Sequence, residues 1–298
     1  TMLNLNTEII SKMPITLPPL PEQKVIAALL STWDEAIEKT ERLIRAKEKR
    51  FQWLLRTLIS EPQNTRNTRK AEQERPLQCV QCIPWLEKEP QNTQNTRKGT
   101  AWKKVKIGSF LTESRIPDHE NNPEKRLSVR LHLKGVEIRE CRGTESDAAT
   151  AYFVRKAGQF IYGKQNIFRG SVGIVPPELD GYCSTQDIPA FDVSGNVCKD
   201  WLLFLFSCPD FYKRLELYAS GSGSKRLHPK ELFKMTILLP PFDEQEQTAK
   251  TLSLVQHEID LLKQLADKFK NQKRGLMQKL LTGTWRIKPE IINQHKEV

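Results

Sequence analysis

Apolar residues recur at heptad spacing near both ends of this chain. Near the start they fall at Leu30, Ile37, Ile44, Phe51 and Leu58, with a second series at Trp33, Thr40, Lys47 and Leu54. Near the end the phase returns as Leu252, Ile259, Ala266, Lys273 and Leu280 against Val255, Leu262, Phe269 and Leu276. A sustained three-four alternation of this kind predicts two helices joined along a coiled-coil seam. The series complement each other: the first is polar where the second has Leu262 and Phe269, and the second is weak where the first has Ile44 and Phe51. The likeness extends upstream, because Met13 to Ser60 aligns without a gap on Met235 to Thr282. Both stretches open on a Pro-Pro pair (Pro18, Pro19; Pro240, Pro241) and a Glu-Gln pair (Glu22, Gln23; Glu244, Gln245). The prolines block earlier helix, so helices are predicted over residues 21–60 and 242–284, each roughly 58 Å long at 1.5 Å per residue.

The pattern between them is different. Trp102 to Gly108 reads as a strand, and short β-branched and aromatic runs follow at Tyr152 to Val154, Phe160 to Tyr162, Ser171 to Val175 and Ala190 to Val193. Trp201 to Leu217 predicts a buried amphipathic helix with a break near Pro209. The fold class is therefore α+β: one mixed α/β domain over residues 101–241, plus the two long helices. Residues 61–100 change composition. Glu61 to Lys70 recurs almost verbatim as Glu89 to Lys98, and a polar repeat without apolar period cannot offset its ordering entropy, so this is read as a linker. Extending the helical repeat backwards sets Leu5 on Leu227 and Lys12 on Lys234. Residues 1–20 thus read as the tail of a domain whose body is missing, and 285–298 as a C-terminal tail.

Charge adds a partner class. The chain carries 47 Lys and Arg against 36 Asp and Glu, a net charge of +11, which favours a polyanion, most often nucleic acid. No apolar run approaches the ~20 residues that span a bilayer, and no signal-peptide pattern opens the chain, so the expectation is a cytoplasmic protein with thiol cysteines and no membrane partner. Cys79 and Cys82 form a lone CxxC pair without the four ligands of a structural zinc site.

Motifs for catalysis are incomplete. Gly158 to Lys164 fits GxxxxGK, but Gln165 stands where a phosphate-binding loop needs Ser or Thr for magnesium. Pro117-Asp118 and Pro209-Asp210 lack the downstream Glu-x-Lys of a nuclease centre, and nothing assembles a nucleophile, base and oxyanion site. No catalytic residue, metal site or cofactor is assigned. What remains are loops mixing Gly, amide and basic residues: Lys164, Gln165, Asn166 and Arg169; Ser222, Ser224, Lys225 and Arg226; and Arg115. Amides can bond adenine edges, Arg can bond guanine, and Lys with bare loop amides suits phosphates, so these are candidate DNA contacts.

Together the motifs resemble the specificity (S) subunit of type I restriction-modification systems, in a half-length form with one target-recognition domain. The resemblance is carried by Leu-Pro-Pro-x-x-Glu-Gln before each helix, by Leu280 to Gly283, and by Trp-Lys-x-Val-x-Ile-Gly from Trp102. Asn166 to Val175 and Gly-Ser-Gly-x-Lys-Arg-Leu from Gly221 add to it. It implies two recognition domains in a full subunit, held apart by an antiparallel coiled coil, each reading half of a split double-stranded DNA site. It implies that modification subunits carry S-adenosylmethionine and methylate adenine, that a restriction subunit supplies the ATP- and magnesium-dependent motor and nuclease for phage defence, and that the S subunit is non-catalytic. This chain has one such domain and a longer linker than the family's usual join. A homodimer would restore two readers, and C2 symmetry would make the target an interrupted palindrome. The alternatives are a fragment that pairs with a different half, an inactive remnant, or a free DNA-binding regulator.

Overall fold

The computed structural model describes residues 17–59, 102–140, 151–221 and 224–294. The linker with Cys79 and Cys82, residues 1–16 of the N-terminal tail and candidate residue Ser222 lie outside the described residues. The chain divides into two compact units, Thr1–Phe51 with Leu254–Val298, and Gln52–Ser253.

The first unit is built on the greater part of two helices, residues 20–51 of α1 (Leu20–Ile59) and 254–281 of α5 (Phe242–Leu281), each helix of 40 residues and therefore about 60 Å long. Within this unit they run antiparallel, as the ion pairs establish. Asp34 meets Lys273, Glu41 meets Lys270 at 2.7 Å, and Glu48 meets Lys263 at 2.7 Å, so numbers rise along one helix as they fall along the other. Val25, Ile26, Ile44 and Phe51 are buried from α1, and Ile259, Ala266 and Leu280 from α5. Leu30, Trp33, Ile37, Val255, Leu262, Phe269 and Leu276 are half-buried, as expected where two helices can cover only a narrow stripe of each other. Trp33 packs edge-to-face on Phe269 with ring centroids 5.8 Å apart, a favoured aromatic geometry. Helix α5 stops at Gly283, whose φ of +73° suits glycine alone without strain. Trp285 N–H then caps Lys279 O at 2.9 Å. The returning chain meets the start of α1, where the buried Glu22 accepts from Ile287 N at 3.0 Å and pairs with Arg286 at 2.9 Å. A short helix, α6 (Pro289–Gln294), follows.

The second unit, residues 52–253, holds four small antiparallel sheets. The central one has the order β2 (Leu111–Ser114), β10 (Ala190–Val193), β7 (Phe160–Tyr162), β8 (Val172–Ile174). A second orders β3 (Ile116–Pro117), β6 (Tyr152–Val154), β9 (Cys183–Thr185). Two two-stranded antiparallel pairs complete the set: β1 (Lys103–Lys106) with the distant β11 (Thr236–Leu239), and β4 (Leu127–Val129) with β5 (Val136–Ile138). Helix α2 (Lys199–Ser207) buries Trp201, Leu202 and Phe206 on the central sheet. There Phe160 meets Phe206 at 4.8 Å and Tyr162 stacks on Phe191 at 5.6 Å. The break predicted near Pro209 is present, but the stretch beyond it is not the buried amphipathic helix expected as far as Leu217. Cys208 is extended, Pro209 starts the separate turn α3 (Pro209–Tyr212), and residues 213–218 are 3-10 helix with Leu217 82% exposed. Proline cannot continue a preceding helix and excludes helical backbone just before it, which accounts for the break.

The same unit contains the last turns of α1, and here the seam changes phase. Leu55 and Ile59 are buried, while Leu54 and Leu58, which the heptads place in the seam, are only half-buried. Ile59 lines a cleft with Trp102, Leu205, Phe211 and Ile237, and Arg56 pairs with Asp210 at 3.1 Å. The domain's two ends are also joined. Strand β1 pairs with β11, Val105 opposite Ile237, after which α4 (Pro229–Lys234) supports Gly108. A side chain at Gly108 would meet Phe233 Cβ at 2.8 Å, which is why the Trp-Lys-x-Val-x-Ile-Gly opening ends on glycine here. At the start of α5, Trp102 Nε1 donates to Glu244 Oε1 at 3.1 Å, and the buried Gln245 accepts from Cys198 N at 2.8 Å. The incoming strand is thus fixed against the outgoing one despite the length of the preceding segment.

Candidate nucleic-acid interface

Strand β7 delivers the first candidate loop. Its backbone is paired on both sides, with β10 and with β8, so the GxxxxGK run is sheet and its amides are not free to cradle phosphate. Beyond Tyr162 the chain turns through Gly163 to Asn166: Asn166 N–H donates to Gly163 O at 3.0 Å, and Ser171 N–H to Asn166 O at 3.1 Å. Residues Ile167–Arg169 form one 3-10 turn, closed by Gly170 at φ +75°. The loop is thereby fixed by its own backbone rather than by a ligand.

The structure brings the two loops together. Lys164 O accepts from Leu227 N at 2.9 Å, and Gln165 Nε2 donates to Ser224 Oγ. Ser220 and Arg226 exchange backbone bonds of 3.0 and 2.8 Å across the base of the glycine-serine loop. Gln165, Ser224, Lys225 and Arg226 therefore share one surface. Lys225 pairs with Glu216 at 2.9 Å. Arg115 pairs with Glu113 at 2.9 Å. Arg169 is exposed, and its carbonyl accepts from His132 N at 3.0 Å, tying this side of the loop to the turn after β4. Asn166 is half-buried.

Lys164 departs from the expectation of an exposed loop lysine: only 9% of it is accessible. Burial lowers its pKa, opposed by the carboxylates of Asp187 and Glu113 and reinforced by the cations Arg115 and Arg226. The charges of these four groups act on the Lys164 ammonium, and Arg155, which bonds both Ser114 O and Ile188 O, links Arg115 to the same cluster. Sequence reasoning omitted three of its members: Asp187, Glu113 and the buried Arg155. Arg155 donates from Nε to Ser184 Oγ at 2.7 Å, from Nη1 to Ser114 O at 2.8 Å and from Nη2 to Ile188 O at 3.1 Å. Desolvation lowers its pKa to about 10, so it remains a cation at neutral pH. It follows an apolar strand and its partners lie far along the chain, so no local pattern marks it. Asp187 carries a weak signal, the polar turn before Pro189. Among the described residues no His, Cys, Asp and Glu group could hold a metal ion, and no helix is long and apolar enough to cross a membrane.

An α+β domain presenting one basic, amide-rich loop cluster, together with an antiparallel helix pair, is the class of protein defined so far. Residues 1–48 and 139–271, more than half of the chain, match the family model of the type I restriction modification DNA specificity domain. The chain belongs to that family. It is 24% identical over 290 residues to a Methanocaldococcus jannaschii protein provisionally named type I restriction enzyme MjaX specificity subunit, covering 96% of this chain and 62% of that one. The chain thus spans about three-fifths of that relative's length. Among solved structures it is similar to the HsdS subunit of Thermoanaerobacter tengcongensis, with TM-score 0.48, 17% identity, and coverage of 91% of this chain and 60% of that one. It is likewise similar to the type I restriction-modification S subunit of M. genitalium, with TM-score 0.48, 14% identity, and coverage of 88% and 61%.

Proposed function

We propose that this chain reads one half of a bipartite DNA target for a type I restriction-modification complex and that its helix pair scaffolds the methyltransferase subunits. The observation that carries the reading is the convergence of Lys164, Gln165, Arg115, Ser224 and Arg226 on one face of a domain from this family. Cations there would neutralise phosphates, while the amide and guanidinium forks match base edges in the major groove. The described residues hold one such domain, and one module covers only a few base pairs. A second copy of the chain would supply the other half-site, and two-fold symmetry would make the target a split palindrome. In this reading the chain is non-catalytic and cytoplasmic. S-adenosylmethionine serves the modification subunits, and ATP with magnesium serves the restriction subunit.

The test is expression with the cognate modification subunit in a methylation-free host, followed by genome sequencing for N6-methyladenine. A split palindromic motif is the expected result. A split asymmetric motif that requires another S fragment would replace the homodimer by a complementary pair. A stable complex that methylates nothing and binds no DNA would overturn the reading.

A further inference from the structure

We propose that Asp187 is a base-reading residue whose carboxylate accepts a hydrogen bond from the exocyclic amine of a cytosine in the target. The inference rests on the DNA-reading role proposed above and assigns one feature of the sequence that is read.

Asp187 sits at the exposed tip of the turn Thr185 to Ile188, closed by Ile188 N–H donating to Thr185 O at 3.0 Å. Around it stand cations: Arg226, and the Lys164 ammonium with Arg115 beyond. A carboxylate set against the phosphate backbone would be repelled, so on a DNA-facing surface it belongs over base edges. There its acceptor-only chemistry matches the amino group of cytosine. Simple neutralisation of Arg226 is a poor alternative account. The Arg226 Nη2 to Asp187 Oδ2 separation is 3.6 Å, too long for a hydrogen bond, and Arg226 Nε is buried with no partner among the described residues. A pair retained for its own stability would close into the shorter, forked geometry that guanidinium and carboxylate prefer.

The position of the carboxylate is fixed from beneath. Arg155, only 1% exposed, bonds Ser184 Oγ just before the turn and Ile188 O just after Asp187. Ser184 Oγ itself donates to Ile188 O at 2.7 Å, and the Asp187 carbonyl accepts from Lys164 N at 2.9 Å. The third Arg155 bond reaches Ser114 O, the residue before Arg115. A buried guanidinium is costly unless fully bonded. Placing one under a surface turn holds Asp187, Lys164 and Arg115 in register, as a site that reads geometry requires.

The experiment uses the full chain assembled with its modification subunit and compares wild type, Asp187→Ala and Asp187→Asn by methylated motif and by salt-dependent DNA affinity. Wild type should require a C·G pair at a fixed position. Asp187→Ala should keep methylating but lose about tenfold to a hundredfold discrimination at that pair. Asp187→Asn, nearly isosteric, should shift the preference there toward adenine, whose edge suits an amide. The salt slope should not change in either, because no phosphate contact is lost. The proposal falls if both variants keep the wild-type motif and merely bind all DNA more tightly, or if the wild-type motif contains no required C·G pair. If the wild-type complex neither binds nor methylates DNA, the proposed function fails and this inference with it.

Discussion

In both copies of the repeat the glutamine side chain turns back on the prolines. Gln23 Nε2 donates to Pro18 O at 2.8 Å, and Gln245 Nε2 to Pro240 O at 2.8 Å. Beyond that shared turn the copies diverge. Gln245 is 1% exposed and its Oε1 accepts from Cys198 N, whereas Gln23 is half-buried and its Oε1 has no partner among the described residues. Ala249 is buried and its counterpart Ala27 is exposed; Leu252 and Ile259 are buried where Leu30 and Ile37 are half-buried. The preceding glutamates reverse that order: Glu22 is buried and receives the backbone N–H of Ile287, whereas Glu244 is half-buried and receives the ring N–H of Trp102. Local sequence sets how each helix begins, and the surroundings decide how much each repeated side chain is worth.

The largest contrast should come from a charge placed in the seam. Ile259→Asp buries a carboxylate at a position 1% exposed and should cost roughly 3–5 kcal/mol, from lost packing and desolvation. Ile37→Asp at the equivalent half-buried position should cost about 1–2 kcal/mol, since water reaches the new charge. Urea unfolding followed by helical circular dichroism measures both, and equal losses would show that the copies are equally buried. Next in size is the glutamine pair. Gln245→Ala leaves Cys198 N–H and Pro240 O without partners and should cost about 2–4 kcal/mol, against under about 1 kcal/mol for Gln23→Ala, which loses one partly solvated bond. A Gln23→Ala loss as large as that of Gln245→Ala would reveal a partner for Gln23 in solution.

A third contrast separates the two lysines of the loop cluster. Lys225 is exposed and Lys164 is nearly enclosed. Lys225→Ala should weaken DNA binding modestly and reduce the salt slope by about one phosphate contact. Lys164→Ala should weaken it more, because a partly desolvated cation acts through a lower effective dielectric. Filter binding across a salt series distinguishes them, and unchanged affinity and slope in both would remove the cluster from the interface.

The heptads made the helix pair legible because a seam repeats, and repetition survives without knowledge of the partner. Leu54 and Leu58 are half-buried like Leu30 and Ile37, but here two residues outside the heptad series are buried more deeply, where the residues around α1 belong to the compact unit 52–253. A change of surroundings shifts the buried stripe to Leu55 and Ile59 without interrupting the helix. The strands around Phe160 and Ala190 were legible from their apolar runs, and the stop at Cys208 from Pro209. In the candidate interface, glycine, amide and basic residues marked two loops, but nothing in the string joined them. The join is a Gln165 to Ser224 bond and a Lys164 to Leu227 bond across the fold. Arg155 and Asp187 escaped for the same reason: a buried arginine is recognisable only by its acceptors, and one of these, Ser114, lies 41 residues away.

The smallest effect concerns charge along the helix pair, and it tests why the two copies pair with each other. Glu41 faces Lys270, and Glu48 faces Lys263. In the repeat alignment Glu41 corresponds to Lys263 and Glu48 to Lys270, so α1 carries the acids and α5 the bases at matching positions. An α1–α1 pair in the same register would set Glu41 against Glu48, and an α5–α5 pair would set lysine against lysine, which disfavours both. The hydrogen bond and charge of Lys270 lower the Glu41 pKa below 4.5, and Glu41 in turn raises that of Lys270 above 10.5. The contribution of Glu41 is therefore present above pH 4.5 and lost as pH falls through its depressed folded value. That of Lys270 is present below pH 10.5 and lost as pH rises through its raised one. Lys270 is exposed and Glu41 partly exposed, so Glu41→Lys alone should lower Tm only slightly, and 1 M salt should erase the difference. Adding Lys270→Glu should restore Tm at neutral pH. A double variant no more stable than the single would show that these charges do not select the partner helix, leaving that choice to the complementary seam of Ile44 and Phe51 with Ala266.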